Sequence, residues 1–264
     1  GDTRSTFLPR HNARTDMRQP ARTTIITLWG ALITALVLAL SITAPAVAID
    51  PGGREEALPT PPPPKPSVPS VGTTVLSDGT PVGIVVAGGD GGMLHIVDLS
   101  TRTLRSRERL APENTDVQPW EFARLSNRHV LLASGGGQLF EIDPDAPEGK
   151  KATNLSDPSR PGYEQVAAYS KFLWDVVVDE HDRVYVATQS DRGGHILRYD
   201  PSANQGRGQW TDLLPGGVQA GQTEVRSLAY DNGFLYAGTG TKTLSIVRIN
   251  TSTNAATKLS VPNH

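Results

Sequence analysis

Three dipeptides set a charge beside an apolar residue at comparable points of the chain: Trp120-Glu121, Trp174-Asp175 and Val225-Arg226. Two carboxylates and a guanidinium drawn together could bind a cation, a sugar or a polar chain end, with Trp120 and Trp174 as flat platforms for stacking. The plainer reading has the tryptophans packing internally and the charges pairing with one another. Asp90, Asp191, Arg192 and Lys242 add charge in neighbouring Gly-containing stretches, where solvated turn residues are also expected. His95, His129, His181 and His195 are scattered, and none forms an HxH or HxxxH pair, so no metal site is assigned. His95 and His195 sit among apolar neighbours and read as core histidines.

Other chemistries are excluded or left without support. The chain has no Cys, which removes a thiolate nucleophile, a thiolate zinc site and a disulfide framework. No G-x-S-x-G elbow is present, and Gly88-Gly89-Asp90-Gly91-Gly92 is followed by no Lys-Ser/Thr pair, so it is not a phosphate loop. Tyr163 and Tyr169 are tyrosines in a position to serve as bases, but no carboxylate-bound cation is legible beside them. No catalytic residue and no cofactor is assigned, and the reading leans towards a protein that is not an enzyme. Lys plus Arg number 25 against 27 Asp plus Glu, and the net charge of −2 argues against nucleic-acid binding.

The elements that must position these residues begin after a long leader. Residues 1–16 precede the first Met and read as an unstructured upstream extension. Residues 17–48 read as a signal peptide: Arg14, Arg18 and Arg22 precede the apolar run from Ile25 to Leu40, and Ala46-Val47-Ala48 follows a helix-breaking Pro45. The alternative is an uncleaved membrane helix, which would touch the bilayer only through residues 23–49. Residues 49–72 form a Pro-rich linker of the extended polyproline type.

From residue 73 to 264 the chain consists of short β-type runs punctuated by Gly, Asn and Asp. One unit recurs: apolar strand, Gly-rich loop, apolar strand ending in Asp or Asn, polar turn. The closing residues are Asp98, Asp143, Asp200 and Asn250, at intervals of 45, 57 and 50 residues, which fit a propeller blade of about 40–50 residues. Capping of the turn by these side chains is the expected role. The spacing predicts an all-β propeller with four blades of four antiparallel strands, at 73–111, 120–156, 172–215 and 225–264. First strands are expected near 73–77, 121–126, 173–179 and 225–230, and fourth strands near 104–110, 152–155, 210–214 and 256–259. Loops 111–119, 156–171 and 215–224 should share one face with the loops between second and third strands.

The segments FLWDVVVDEHDRVYVAT…HILRYDPSA and EVRSLAYDNGFLYAGTG…LSIVRINTST resemble blades of secreted bacterial β-propellers of the quinoprotein-like or YVTN-like superfamily, with their D-G-x-V-Y-x-G-T…Y-D-P-x-T-G pattern. Here Asp182-Arg183 stands where the pattern has Asp-Gly, and the closing Thr-Gly is absent. Asp200 to Trp210 is similar to a tryptophan-docking turn, in one unit alone. Four blades lie at the lower limit for propellers, so the visible units are expected to be part of a larger ring; a four-bladed ring or a dimer of arcs are the alternatives. The expected function is binding or scaffolding outside the cytoplasmic membrane, with a carbohydrate or protein ligand near the channel mouth. The alternative is a secreted carbohydrate-active enzyme, a lyase or hydrolase, on the same scaffold.

Overall fold

The computed structural model describes residues 70–240 and 244–260. The leader (residues 1–48), the linker up to residue 69, and Lys242 lie outside the described residues. Among those described, no helix is long and apolar enough to cross a membrane.

Four four-stranded antiparallel sheets follow one another along the chain, each a simple meander. The first is built of β1 (Gly72–Val75), β2 (Pro81–Ala87), β4 (Met93–Asp98) and β5 (Thr103–Arg109). The second is β7 (Pro119–Arg124), β8 (Val130–Ser134), β9 (Leu139–Ile142) and β10 (Ala152–Asn154). The third is β11 (Phe172–Val178), β12 (Val184–Gln189), β13 (Ile196–Asp200) and β14 (Gln209–Asp212), and the fourth is β15 (Ser227–Asp231), β16 (Phe234–Thr239), β17 (Ser245–Asn250) and β18 (Ala256–Leu259). First strands lie against one another in the sequence β1, β7, β11, β15, while the later strands diverge. This is the blade arrangement of a β-propeller, without closure of the fourth blade onto the first among the described residues.

The reason lies in the second strands. In β8 and β12 nearly every residue is buried, on both faces, because each strand is sandwiched between neighbouring blades, and β2 of the first blade is buried almost as fully. Successive side chains point to opposite faces, so Leu132 packs towards the first blade and Leu131 towards the third. Three cores result. Val82, Ile84 and Ile96 meet Val130, Leu132 and Phe140 between blades one and two. Leu131 and Leu139 meet Val186, Leu197 and Trp210 between two and three. Tyr185 and Ile196 meet Leu235, Val247 and Ile249 between three and four. Each fully buried aliphatic side chain contributes about 1.5–3 kcal/mol. In β16 burial alternates instead, with Leu235 and Ala237 turned into the core shared with blade three.

The expected turn caps are present. Asp98 accepts from the N–H groups of Ser100 and Thr101, Asp143 from Asp145, Asp200 from Ser202, and Asn250 from Ser252 and Thr253. Asn232 and Gly233 take positive φ (47° and 83°) in the two-residue turn between β15 and β16, as the primed hairpin requires.

Loop faces also segregate as expected, through backbone pairing that no local pattern announces. β3 (Gly89–Asp90), in the loop between second and third strands of blade one, pairs with β6 (Asp116–Val117), which leads into β7. Gly135 N–H donates to Gln118 O, and Gly194 N–H to Gln222 O. Loop 156–171 contains a helix, α1 (Tyr163–Tyr169), whose two tyrosines pack on the core between blades two and three.

Candidate functional site

Trp120 and Trp174 occupy the same place in consecutive blades. Each falls in a β-bulge at the start of a first strand: register slips between Pro119 and Glu121 against β8, and between Leu173 and Asp175 against β12. A bulge adds one residue and re-aims its side chain. The two indoles meet edge to face with centroids 4.6 Å apart. Trp174 also stacks with Phe172 at 5.4 Å and donates its indole N–H to Gln189 Oε1 at 3.0 Å. The Arg226 guanidinium lies over Trp174, 3.8 Å from the ring centroid, and pairs with Glu224 at 3.2 Å. About half of the Arg226 side chain stays exposed.

Register corrects one expectation. Glu121 and Asp175 pair with Ala133 and Ala187, and the corresponding Ala237 of blade four pairs with Leu228. Val225-Arg226 is therefore not the counterpart of the two Trp-acid pairs but precedes it. Arg226 joins the array because its long side chain reaches back across the gap between blades.

The two carboxylates behave differently. Asp175 accepts from Val176 N–H and, across the blade boundary, from Leu228 N–H, both at 2.7 Å. Burial pushes its pKa up, these two bonds oppose the rise, and the neighbouring Glu121 charge adds to it. One oxygen of Glu121 accepts from Phe122 N–H at 3.1 Å and lies 3.5 Å from Ser70 Oγ. Asp175 is thus largely committed to the backbone, whereas Arg226 retains free donors. The array offers an exposed cation, paired with Glu224, on an aromatic bed, which suits a polar or anionic ligand group with an apolar face.

The weaker candidates fall elsewhere. Asp90 accepts from Asn114 N–H and faces Arg109, while Asp191 is almost fully exposed near Lys171. His195 is a satisfied core histidine: its Nδ1 lies 2.8 Å from Asp212 Oδ2 and its ring stacks on Tyr169 at 3.8 Å. His129 sits between Glu141 (2.7 Å) and Asp143 (3.6 Å). Among the described residues no group of three His, Asp or Glu is arranged to hold a metal. Trp210 packs in the core and donates to Leu155 O at 2.9 Å. A rim pocket lined by Arg160 and Arg207 had no sequence signal, since its residues come from two blades and no motif links them.

No known protein family matches the chain, and no curated protein does. Solved structures that resemble it are the extracellular domain of a protein described as a hybrid two-component system from B. thetaiotaomicron (18% identity, TM-score 0.46), a mitotic checkpoint complex (14%, 0.46) and the β-propeller domain of Cps50 (Swd1) from Myceliophteria thermophila (14%, 0.45). They cover 69%, 70% and 74% of this chain. The chain in turn spans only 21%, 48% and 58% of theirs. At this similarity the sheet topology, not the likeness, establishes the fold.

Proposed function

We propose that this chain is an exported β-propeller of the quinoprotein-like or YVTN-like kind that binds a carbohydrate or protein ligand on its loop-rich face. The observation that supports it is the exposed Arg226 guanidinium, held over Trp174 of the Trp174–Trp120 array and paired with Glu224. A guanidinium stacked on indole keeps its donors aimed outward and loses little freedom on binding. Export rests on the sequence pattern of residues 17–48.

The test is a glycan and peptide array probed with the full chain, followed by titration of any hit. Arg226→Ala should weaken binding at least about tenfold while the melting temperature holds. Unchanged binding in both Arg226→Ala and Trp174→Ala would remove the site. Turnover of a polysaccharide, lost in Arg226→Ala, would move the reading to a carbohydrate-active enzyme. N-terminal sequencing of the exported protein should begin at Ile49.

A further inference from the structure

A second site stands apart from the channel mouth. At the outer edges of blades two and three, Thr153 and Asn154 of β10, Asp157, Ser159 and Arg160 of the following segment, and Arg207 of the β13–β14 turn line a pocket of about 420 Å³. That volume falls within the range that holds small ligands.

Its walls are fixed from both blades. Trp210 N–H donates to Pro161 O, and the Trp210 indole to Leu155 O. Arg160 Nη1 donates to Tyr199 Oη at 3.0 Å and to Arg207 O at 3.1 Å, which ties the two sides together and orients its guanidinium. The turn that carries Arg207 passes through two consecutive left-handed residues, Asn204 (φ 51°) and Gln205 (φ 59°), and Asn204 Nδ2 clamps it to Gly208 O and Gln209 Oε1. Among the described residues, the Arg207 guanidinium makes no hydrogen bond or ion pair. The structure therefore holds one guanidinium rigidly and presents a second, free one beside it.

The charge balance selects the ligand. Two guanidiniums against the Asp157 carboxylate leave one net positive charge, which matches a single carboxylate rather than a dianion. Asp157 is held ionised, its pKa lowered by hydrogen bonds from the Ser159 hydroxyl and N–H. It would repel a bare phosphate but accept from sugar hydroxyls, and Thr153, Asn154 and Ser159 supply further polar partners around it. We infer that this pocket binds a uronate unit of an acidic polysaccharide, its carboxylate between Arg160 and Arg207 and its ring hydroxyls towards Asp157 and Asn154. Two guanidiniums on one carboxylate give the geometric selectivity that a lysine pair would not.

Calorimetric titration of the full chain with tri-galacturonate tests this, with maltotriose as the neutral sugar and inorganic phosphate as the bare anion. The uronate trimer should bind, the other two should not, and Arg207→Ala should lower the affinity about tenfold with an unchanged melting temperature, because Arg207 holds nothing else in place by its side chain. Asp157→Asn should weaken the uronate and admit phosphate. Failure of the trimer to bind, equal binding of phosphate to the unaltered chain, or insensitivity to Arg207→Ala each overturns the inference. Arg226→Ala should leave uronate binding intact, so this site and the channel mouth stand or fall separately.

Discussion

Asp175 lies within β11 and Asp179 four residues on, just past its end, yet their carboxyls are driven in opposite directions. Burial raises Asp175, and Glu121 adds to the rise. A raised acid binds its proton more tightly when folded, so its ionisation lowers stability as pH climbs above 3.8 through the folded value. Glu121→Gln should bring the Asp175 pKa down, as read from its carboxyl carbon shift in an NMR titration. Burial also pushes Asp179 upward, but four hydrogen bonds outweigh it: from the His181 and Arg183 N–H groups, from Arg183 Nε and from Tyr185 Oη. Its stabilisation is complete above 3.8 and is lost as pH falls through the lowered folded value. Asp179→Ala should cost about 2–4 kcal/mol at neutral pH, because it strands a partly buried Arg183 and a buried Tyr185 hydroxyl. Urea midpoints should also show a flattened acid limb in the variant. The same pair explains Tyr185, whose hydroxyl is pushed up to about 12 by burial and by its bond to Asp179.

Blades are joined by devices that repeat from one boundary to the next. After β1, Ser77 donates its N–H (2.9 Å) and hydroxyl (3.0 Å) to Asp145 of blade two; after β7, Ser126 does the same to Asp182 of blade three. Asp182 adopts φ 59°, a left-handed geometry that Asp tolerates better than most residues, and its carboxylate accepts both bonds from Ser126. A double-mutant cycle on Ser126→Ala and Asp182→Asn should return a coupling of about 0.5–1.5 kcal/mol. Gly162 is the more sensitive joint. It precedes α1 with φ 77°, and a Cβ there would stand 2.2 Å from Trp210 O. Gly162→Ala should cost more than the about 1–2 kcal/mol of the left-handed backbone alone, seen as a lowered urea midpoint.

Across the whole molecule, stability is a sum of interfaces between neighbouring blades, not of a single centre. Trp210, 1% exposed, fills the boundary between blades two and three, so Trp210→Ala should cost about 3–5 kcal/mol by thermal or urea unfolding. Ile246 is on the other face of blade four, 37% exposed and opposite Leu259 on β18. Ile246→Glu should change stability by no more than about 0.5 kcal/mol. A loss of several kcal/mol would mean that this face is covered in solution.

Most of the architecture was legible in the chain because a blade's information is local. Short apolar runs, capping Asp or Asn at the strand ends and Asn232-Gly233 at a hairpin are properties of consecutive residues, and each recurs in the folded chain where the pattern places it. The Trp120 and Trp174 positions were legible for the same reason. The counterpart in blade four was not: register puts it at Ser227-Leu228, two residues beyond Val225-Arg226, and sequence spacing carries no mark of register, or of the bulges at the other two first strands, until the partner strand is in place. The pairing of β3 with β6, the reach of Arg226 over Trp174 and the grip of Asp175 on Leu228 join segments from different blades. The pocket of Arg160 and Arg207 likewise exists only where two blade edges meet, 47 residues apart in the chain. Sequence thus determined the repeat and the side chains each blade carries; packing of blade on blade decided which of those side chains are spent on structure and which are left to bind.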